Sequence, residues 1–276
     1  MRLVSWNISQ LALWDQLAVH DAELALLQEA PEPPRDAAPA SPGWPQEILP
    51  GPDEPWATAG WEQRPWRTAI ARLSPGFTLQ PVLSGGIEAD SGTLRVSRSG
   101  TLTAATVVVR GKELFTAVSV YSPWERPLER TRPIWADGSA HRLLSDLSPL
   151  IWRGGLPLIV SGDWNILRGY GEDGAPYNRD RYQTVFDRAE ALGLRFIGPE
   201  YPHGRQADPW PGELPKESTC VPTYYHRRQT PETATRQLDF VFGSRSFASS
   251  VHAKALNGPG EWGPSDHCPV LIDIGV

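Results

Sequence analysis

The chain has 276 residues and a net charge of −6, from 26 basic and 32 acidic side chains. That length can bury one large core or two modest ones, and 40% hydrophobic residues point to an ordered globule rather than a disordered chain. The excess of acid argues against broad nonspecific binding to nucleic acid, although a local basic groove remains compatible with it.

The first segment, MRLVSWN, has no apolar h-region and no small-residue cleavage site, so no signal peptide is read there. RLVSWN is a strand by composition. LALWDQLAVHD fits a helix with Leu13, Leu17 and Trp14 on one face. ELALLQE is a compact apolar run that ends in Glu29, giving a strand–helix–strand crossover unit. Prolines crowd residues 31 to 60 densely enough to exclude regular elements. Trp44, Trp56, Trp61 and Trp66 mark that stretch as an ordered surface loop, because a linker rarely carries tryptophans.

From Trp66 onward TAIARL, FTLQPVL, GTLRVSR, GTLTAATVVVR and KELFTAVSVY read as strands, the last two joined in a hairpin through Arg110, Gly111 and Lys112. Their alternation and β-branching predict a sheet with one wet face. SAHRLLSDLSPLIW is a helix over 139 to 152 despite Pro149, LPLIV a buried strand, RYQTVFDRAEALGL a second helix, and QLDFVF and PVLIDI the closing strands. No repeat and no boundary divides the chain, so a single domain over 1–276 is expected. No run approaches the roughly 18 apolar residues of a membrane helix. Cys220 and Cys268 form no CxxC pair and are too few for a disulfide scaffold. A reduced, cytoplasmic protein is therefore expected, a monomer with no partner protein implied.

Polar groups recur where strands end. Asn7 ends RLVSWN, Glu29 ends ELALLQE, and Tyr121 ends FTAVSVY. Asp163 and Asn165 follow LPLIV in SGDWN, where an extended backbone would aim both side chains the same way. Asp239 lies inside QLDFVF, and Asp266 and His267 precede PVLIDI. Each has an ordinary reading: a turn cap for Asn7, a solvated strand end for Glu29, a core ring with a wet hydroxyl for Tyr121, a loop histidine for His267. Asp239 is harder to explain that way, since a carboxylate between Leu238 and Phe240 is costly to bury alone. Together these groups describe an acidic pocket suited to a hard divalent cation, Mg²⁺ with Mn²⁺ as a substitute. Zinc would need more histidine or cysteine than the pocket offers. The chemistry this suggests is metal-assisted attack on a phosphoester. The sequence has no G-x-S-x-G and no Gly-rich phosphate loop.

In chain order, SWNI, LLQEA, VYSPW, SGDWN, the TYYHRRQTPETATRQLDFVF segment and GPSDHCPV resemble the motifs of the endonuclease/exonuclease/phosphatase superfamily. The combination is specific, each piece alone weak. The resemblance implies an α/β fold, a four-layer sandwich of two stacked mixed β-sheets flanked by helices. It implies that Glu29 is the principal metal ligand, with Asn7 and Asp266. Asp163 would align or deprotonate the attacking water, and Asn165 would hold a phosphate oxygen. His267, oriented by Asp239, would bind the phosphate, and Tyr121 would touch the phosphate or a water. The sequence departs from the family in three places. YSPW follows the tyrosine motif differently from many DNA-repair members, and Arg236 stands one step early in the R-x-D segment. No histidine occurs between His20 and His141, where members that cut undamaged DNA carry one.

Three arginine groups follow the motifs: Arg126, Arg130 and Arg132; Arg179 and Arg181; Arg227 and Arg228. They would draw an anionic substrate to the mouth of the pocket, or pair with neighbours such as Glu125 and Asp180. Aromatic residues beside them suit nucleobases, and also sugars or lipid chains. The expected activity is that of a phosphodiesterase or nuclease acting on an anionic phosphoester, DNA or RNA included. The alternatives are a phosphatase or phosphodiesterase of an inositol phosphate or lipid headgroup, and a catalytically silent binding module of the same fold.

Overall fold

The computed structural model describes residues 1–34, 43–50, 56, 58, 64–86, 92–125, 136–152 and 155–275. Arg126, Arg130, Arg132 and Trp61 lie outside them. In chain order the strands are β1 (Arg2–Asn7), β2 (Leu24–Pro31), β3 (Glu47–Leu49), β4 (Trp66–Arg72), β5 (Thr78–Val82), β6 (Ser84–Gly85), β7 (Leu94–Arg95), β8 (Leu102–Val109) and β9 (Lys112–Tyr121), continuing with β10 (Leu158–Asp163), β11 (Leu194–Gly198), β12 (Asp239–Ser244), β13 (Val251–Ala255) and β14 (Val270–Ile274). Helix α1 (Ala136–Trp152) precedes β10 and α2 (Pro176–Ala191) follows it.

Two six-stranded sheets form, in the orders β13-β14-β1-β2-β4-β3 and β11-β12-β10-β9-β8-β5. Both are mixed. β1 runs parallel to β2 and antiparallel to β14, and β10 runs parallel to β9 and antiparallel to β12. The sheets stack on an apolar layer that includes Leu3, Leu26, Ile70, Phe115, Ile159, Val241 and Ile272. Leu143, Leu144 and Leu147 of α1 and Tyr182, Val185 and Ala189 of α2 cover the outer face of the second sheet. Trp14, Leu17 and Trp56 cover the first. The result is a four-layer α/β sandwich. No helix among the described residues is long and apolar enough to cross a membrane.

Three sequence expectations need correction. The sheets are not wet on one face at their centre: every residue of β10 is buried, and β8 is buried for nearly its whole length. Alternation survives on strands such as β13, at a sheet edge, where only one face meets the core. The proline-rich stretch does contain a regular element, since Glu47, Ile48 and Leu49 pair antiparallel with Arg72, Ala71 and Ile70. A neighbouring strand supplies the pairing there, overriding local propensity. The segment after Leu13 forms a 3₁₀ helix, Trp14–His20, rather than an α-helix, and it buries Trp14 and Leu17 as expected.

Candidate active site at the strand ends

The sheets bring the ends of β1, β2, β9, β10 and β12 together. Pairing register then sets the site. Asp163 is opposite Tyr121 of β9 on one side and opposite Asp239 of β12 on the other. Residues at one register position share a face of the sheet, so the three form a row. Gly162 makes the approach possible. A Cβ there would lie 1.9 Å from the carbonyl oxygen of Val120, at a φ of +155°.

The first sheet supplies Asn7 and Glu29. The β2–β4 register slips between Leu27 and Ala30, and Glu29 sits in that bulge at a φ of +48°. A bulge re-aims a side chain out of the alternating pattern. Beside it, Gln28 turns inward, is fully buried, and donates to Ser119 Oγ at 2.9 Å, tying the sheets together beneath the site. Asn7 Nδ2 donates to Asp163 Oδ2 at 3.1 Å and to Glu29 Oε1 at 3.4 Å. Gln10 Nε2 donates to Glu29 Oε2 at 3.0 Å. Asp266 accepts from Ser9 Oγ, and Ser265 Oγ donates to the Asn7 carbonyl at 2.6 Å.

Asn165 reaches the site differently from the extended geometry expected for it. β10 ends at Asp163, and Asn165 takes a φ of +53°. Its backbone N–H donates to Asp163 Oδ1 and its Nδ2 to Asp163 Oδ2, both at 3.0 Å. The two side chains converge through a turn that folds back, the local bonding that lets asparagine occupy this backbone region. Trp164 between them faces the core and is fully buried.

His267 completes the group. Its Nδ1 is 2.8 Å from Asp239 Oδ2, and its Nε2 is 3.8 Å from Asp163 Oδ2. Trp6 Nε1 donates to its carbonyl at 2.8 Å, and the Tyr224 ring packs 4.9 Å away. Thr223 Oγ1 accepts from the backbone N–H groups of Leu238 and Asp239, fixing the start of β12. Burial alone would lower the pKa of His267, but the charges of Asp239 and Asp163 outweigh it and raise it to about 10. Burial pushes Asp163 up to about 8, against the pull of the His267 charge. Both shifts have one origin, a dry pocket with several carboxylates and one imidazole to share protons. Burial also holds the Tyr121 hydroxyl well above its usual pKa, helped by the charges of Glu29 and Asp163. The Arg64 guanidinium opposes that shift from 5.8 Å above the Tyr121 ring and stacks on Trp66 at 4.9 Å.

The structure thus gathers Asn7, Glu29, Tyr121, Asp163, Asn165, Asp239, Asp266 and His267 into one connected network. Ser9, Gln10 and Arg64 join it unannounced by any motif, because each is recruited by a backbone turn or a loop rather than by strand pattern. Thr223 and Ser265 stand inside the quoted motifs, where their hydroxyls were the available signal. The arginines divide. Arg179 pairs with Asp180 at 2.8 Å, and Arg181 pairs with the buried Asp137 of α1 and donates to the Tyr177 hydroxyl at 3.0 Å. Arg227 and Arg228 are exposed in the turn after Tyr225.

Ligand atoms of Asp163, Asp239 and His267 all lie within 4.8 Å of one another, a spacing that can hold a divalent cation. The pairing of His267 with Asp239 limits that cluster, since an imidazolium has no lone pair to give. Glu29 and Asp266 carry oxygen donors, the chemistry that Mg²⁺ prefers, and each is bonded to the end of β1 or the loop after it, through Asn7 and Ser9.

Two stacked mixed sheets, flanked by helices and carrying this carboxylate–histidine group at their strand ends, define a four-layer α/β sandwich. The chain has the fold of the endonuclease/exonuclease/phosphatase superfamily. Among solved structures it resembles the catalytic domain of Xenopus laevis APE2 at a TM-score of 0.62 and 16% identity, over 99% of this chain and 91% of that one. The 3′ phosphatase NExo from Neisseria, bound to a product DNA hairpin, aligns at 0.61 and 19% identity, over 100% of both chains. The endonuclease domain of TRAS1, a telomere-specific non-LTR retrotransposon, aligns at 0.59 and 15% identity, over 100% of this chain and 98% of that one. No family model matches the sequence, and no curated protein matches it.

Proposed function

We propose that the protein is a divalent-metal-dependent phosphodiesterase or nuclease that acts by in-line attack of water on a phosphoester. The observation that carries this reading is Asp163, a buried carboxylate that receives N–H donors from Asn7 at 3.1 Å and Asn165 at 3.0 Å, with His267 Nε2 at 3.8 Å. Glu29, Asn7 and Asp266 would hold the cation, Mg²⁺ or Mn²⁺, which when bound would offset negative charge on the phosphate oxygens and the leaving group.

The chain's own groups do the rest. Asp163 accepts the proton of the attacking water. A carboxylate whose pKa is pushed up to about 8 is matched to that task near neutral pH. Asn7 and Asn165 fix its orientation, and the remaining N–H of Asn165 is available to a phosphate oxygen. His267, held as an imidazolium by Asp239, donates from Nε2 to the phosphate as charge builds in the transition state. The neutral Tyr121 hydroxyl serves as a further donor on the Glu29 side. The product DNA hairpin bound to the 3′ phosphatase NExo, and the endonuclease domain of TRAS1, support a nucleotide chain as substrate.

The test is a substrate panel with Mg²⁺ or Mn²⁺: abasic duplex, single-stranded DNA, RNA, inositol phosphates and bis-p-nitrophenyl phosphate. Hydrolysis that chelation abolishes and Asp163→Ala removes is expected. Full turnover after exhaustive chelation, or no hydrolysis of any member, would overturn the reading.

A further inference from the structure

Beyond the row of site residues, the guanidinium of Arg236 is a cation with no ion-pair or hydrogen-bond partner among the described residues. Tyr224 forms antiparallel bridges both to Arg236 and to His267. Residues paired in this way share a face, so Arg236, Tyr224 and His267 stand in one row, with Tyr224 between the other two. The Tyr224 ring packs 4.9 Å from the His267 ring. The backbone of Arg236 carries the structural load here, its carbonyl accepting from Thr223 at 2.8 Å and Tyr224 at 3.0 Å. Its half-buried guanidinium, in contrast, makes no ion pair or hydrogen bond among the described residues. The positive charge of Arg236 is felt by Tyr170, Tyr182 and Tyr224, where it opposes the burial that raises each hydroxyl. Tyr182 is itself committed to Glu172, donating to Oε1 at 2.5 Å. A half-buried guanidinium fork, one residue removed across Tyr224 from the imidazole that would bind a phosphate, suits a second phosphate, since a fork binds phosphate oxygens in pairs.

We infer that Arg236 is a specificity-determining residue that binds a second phosphate group of the substrate, next to the one that His267 engages. The inference rests on the phosphoesterase reading and deepens it, because it selects substrates that carry two phosphates over isolated diesters. The second phosphate comes either from a neighbouring nucleotide or from a small polyol bisphosphate, and the same fork accepts both. The competing role for Arg236 is that of a charge acting only on the neighbouring Tyr170, Tyr182 and Tyr224.

Calorimetry with Ca²⁺ tests this, using adenosine phosphorylated on both its 3′ and 5′ oxygens, each adenosine monophosphate, and an inositol bisphosphate. Ligand recovered afterwards is checked by chromatography. Wild-type protein is expected to bind a bisphosphate at least about tenfold more tightly than the monophosphates. Arg236→Gln should lose that preference and keep its melting temperature, and Arg236→Lys should restore part of it. Tighter binding of the adenosine compound assigns the subsite to a nucleotide chain, and tighter binding of the inositol compound assigns it to a polyol phosphate. A wild type without preference for either bisphosphate overturns the inference, whether or not the variants fold. So does an Arg236→Gln protein that keeps the preference, or one that loses only thermal stability. Failure to hydrolyse any diester would sink the phosphoesterase reading instead, and the binding preference would remain readable.

Discussion

Nδ1 of His267 lies 2.8 Å from Asp239, and its Nε2 faces Asp163 at 3.8 Å. One imidazole therefore links two carboxylates that β10 and β12 hold at the same register. This makes the histidine a fixed donor whose charge is set by its neighbours.

Asp239→Asn removes one of those charges and keeps the size. The pKa of His267 is raised from 6.5 to about 10 in the folded protein. Its stabilising contribution is thus fully present below about pH 6.5 and is lost as the pH rises through about 10. Activity that needs the imidazolium follows the same alkaline limb. In the variant that limb should move to lower pH, and kcat at neutral pH should fall about 100-fold. The measurement is kcat across pH on protein verified as folded by thermal melting. An unmoved alkaline limb would discard the dyad.

Glu29→Ala should lose cation affinity and rate together. The carboxylate faces Asn7 on one oxygen and Gln10 on the other, so the bulge presents it to the pocket in a fixed orientation. Calorimetry with Mg²⁺ checks the first effect, and Mn²⁺-supported turnover the second. Unchanged Mg²⁺ binding would move the cation to the Asp163–Asp239–His267 cluster.

The residue types of this site were legible in the sequence because polar groups are conspicuous at the ends of apolar runs, as in SGDWN and LLQEA. The strands and helices followed from the same runs, and their arrangement in four layers from the family resemblance that the motifs carry together. Backbone shape was less visible. The positive φ of Glu29 arises from a slip in pairing with β4, and no local pattern encodes a slip between strands about 40 residues apart. Asn165 read as extended because alternation is a property of strands, and nothing before the turn itself signals that β10 stops at Asp163. Ser9 and Gln10 were missed for a related reason: both have positive φ in the loop after β1, where hydrogen bonding rather than periodicity aims the side chains.

The rim arginines should separate by experiment as they do in space. Arg227 and Arg228 are exposed, so replacing both with glutamine should raise KM for a polynucleotide and flatten its dependence on salt. Arg181 joins α2 to a buried carboxylate of α1, and Arg181→Gln should instead cost about 1–2 kcal/mol of stability. Salt-dependent KM and urea denaturation read the two effects. An unchanged salt slope in the Arg227/Arg228 variant would assign those arginines to solvent alone.

Gly162→Ala tests whether the contact between β9 and β10 sets the chemistry. Gly162 precedes Asp163 and pairs with Val120, which precedes Tyr121. A methyl group would sit 1.9 Å from the Val120 carbonyl oxygen, so the strands must part or twist to admit it. The φ of +155° adds a second cost, since side chains other than hydrogen are strained there. Overpacking and backbone strain together should destabilise the protein by about 2–5 kcal/mol. The displacement falls on the peptide next to Asp163, where the carboxylate must meet Asn7, Asn165 and His267 at once. The folded fraction of the variant should therefore also lose turnover, with kcat falling more than KM rises. Gly243 is a useful control. A Cβ there would meet the Ile197 side chain at 2.7 Å, and that side chain can move aside. Gly243→Ala should cost stability and leave kcat near wild type. Urea denaturation and kcat on folded protein are the readouts for both variants. Wild-type kcat in a destabilised Gly162→Ala protein would show that Asp163 tolerates displacement, and that its hydrogen bonds rather than the strand contact keep it in place.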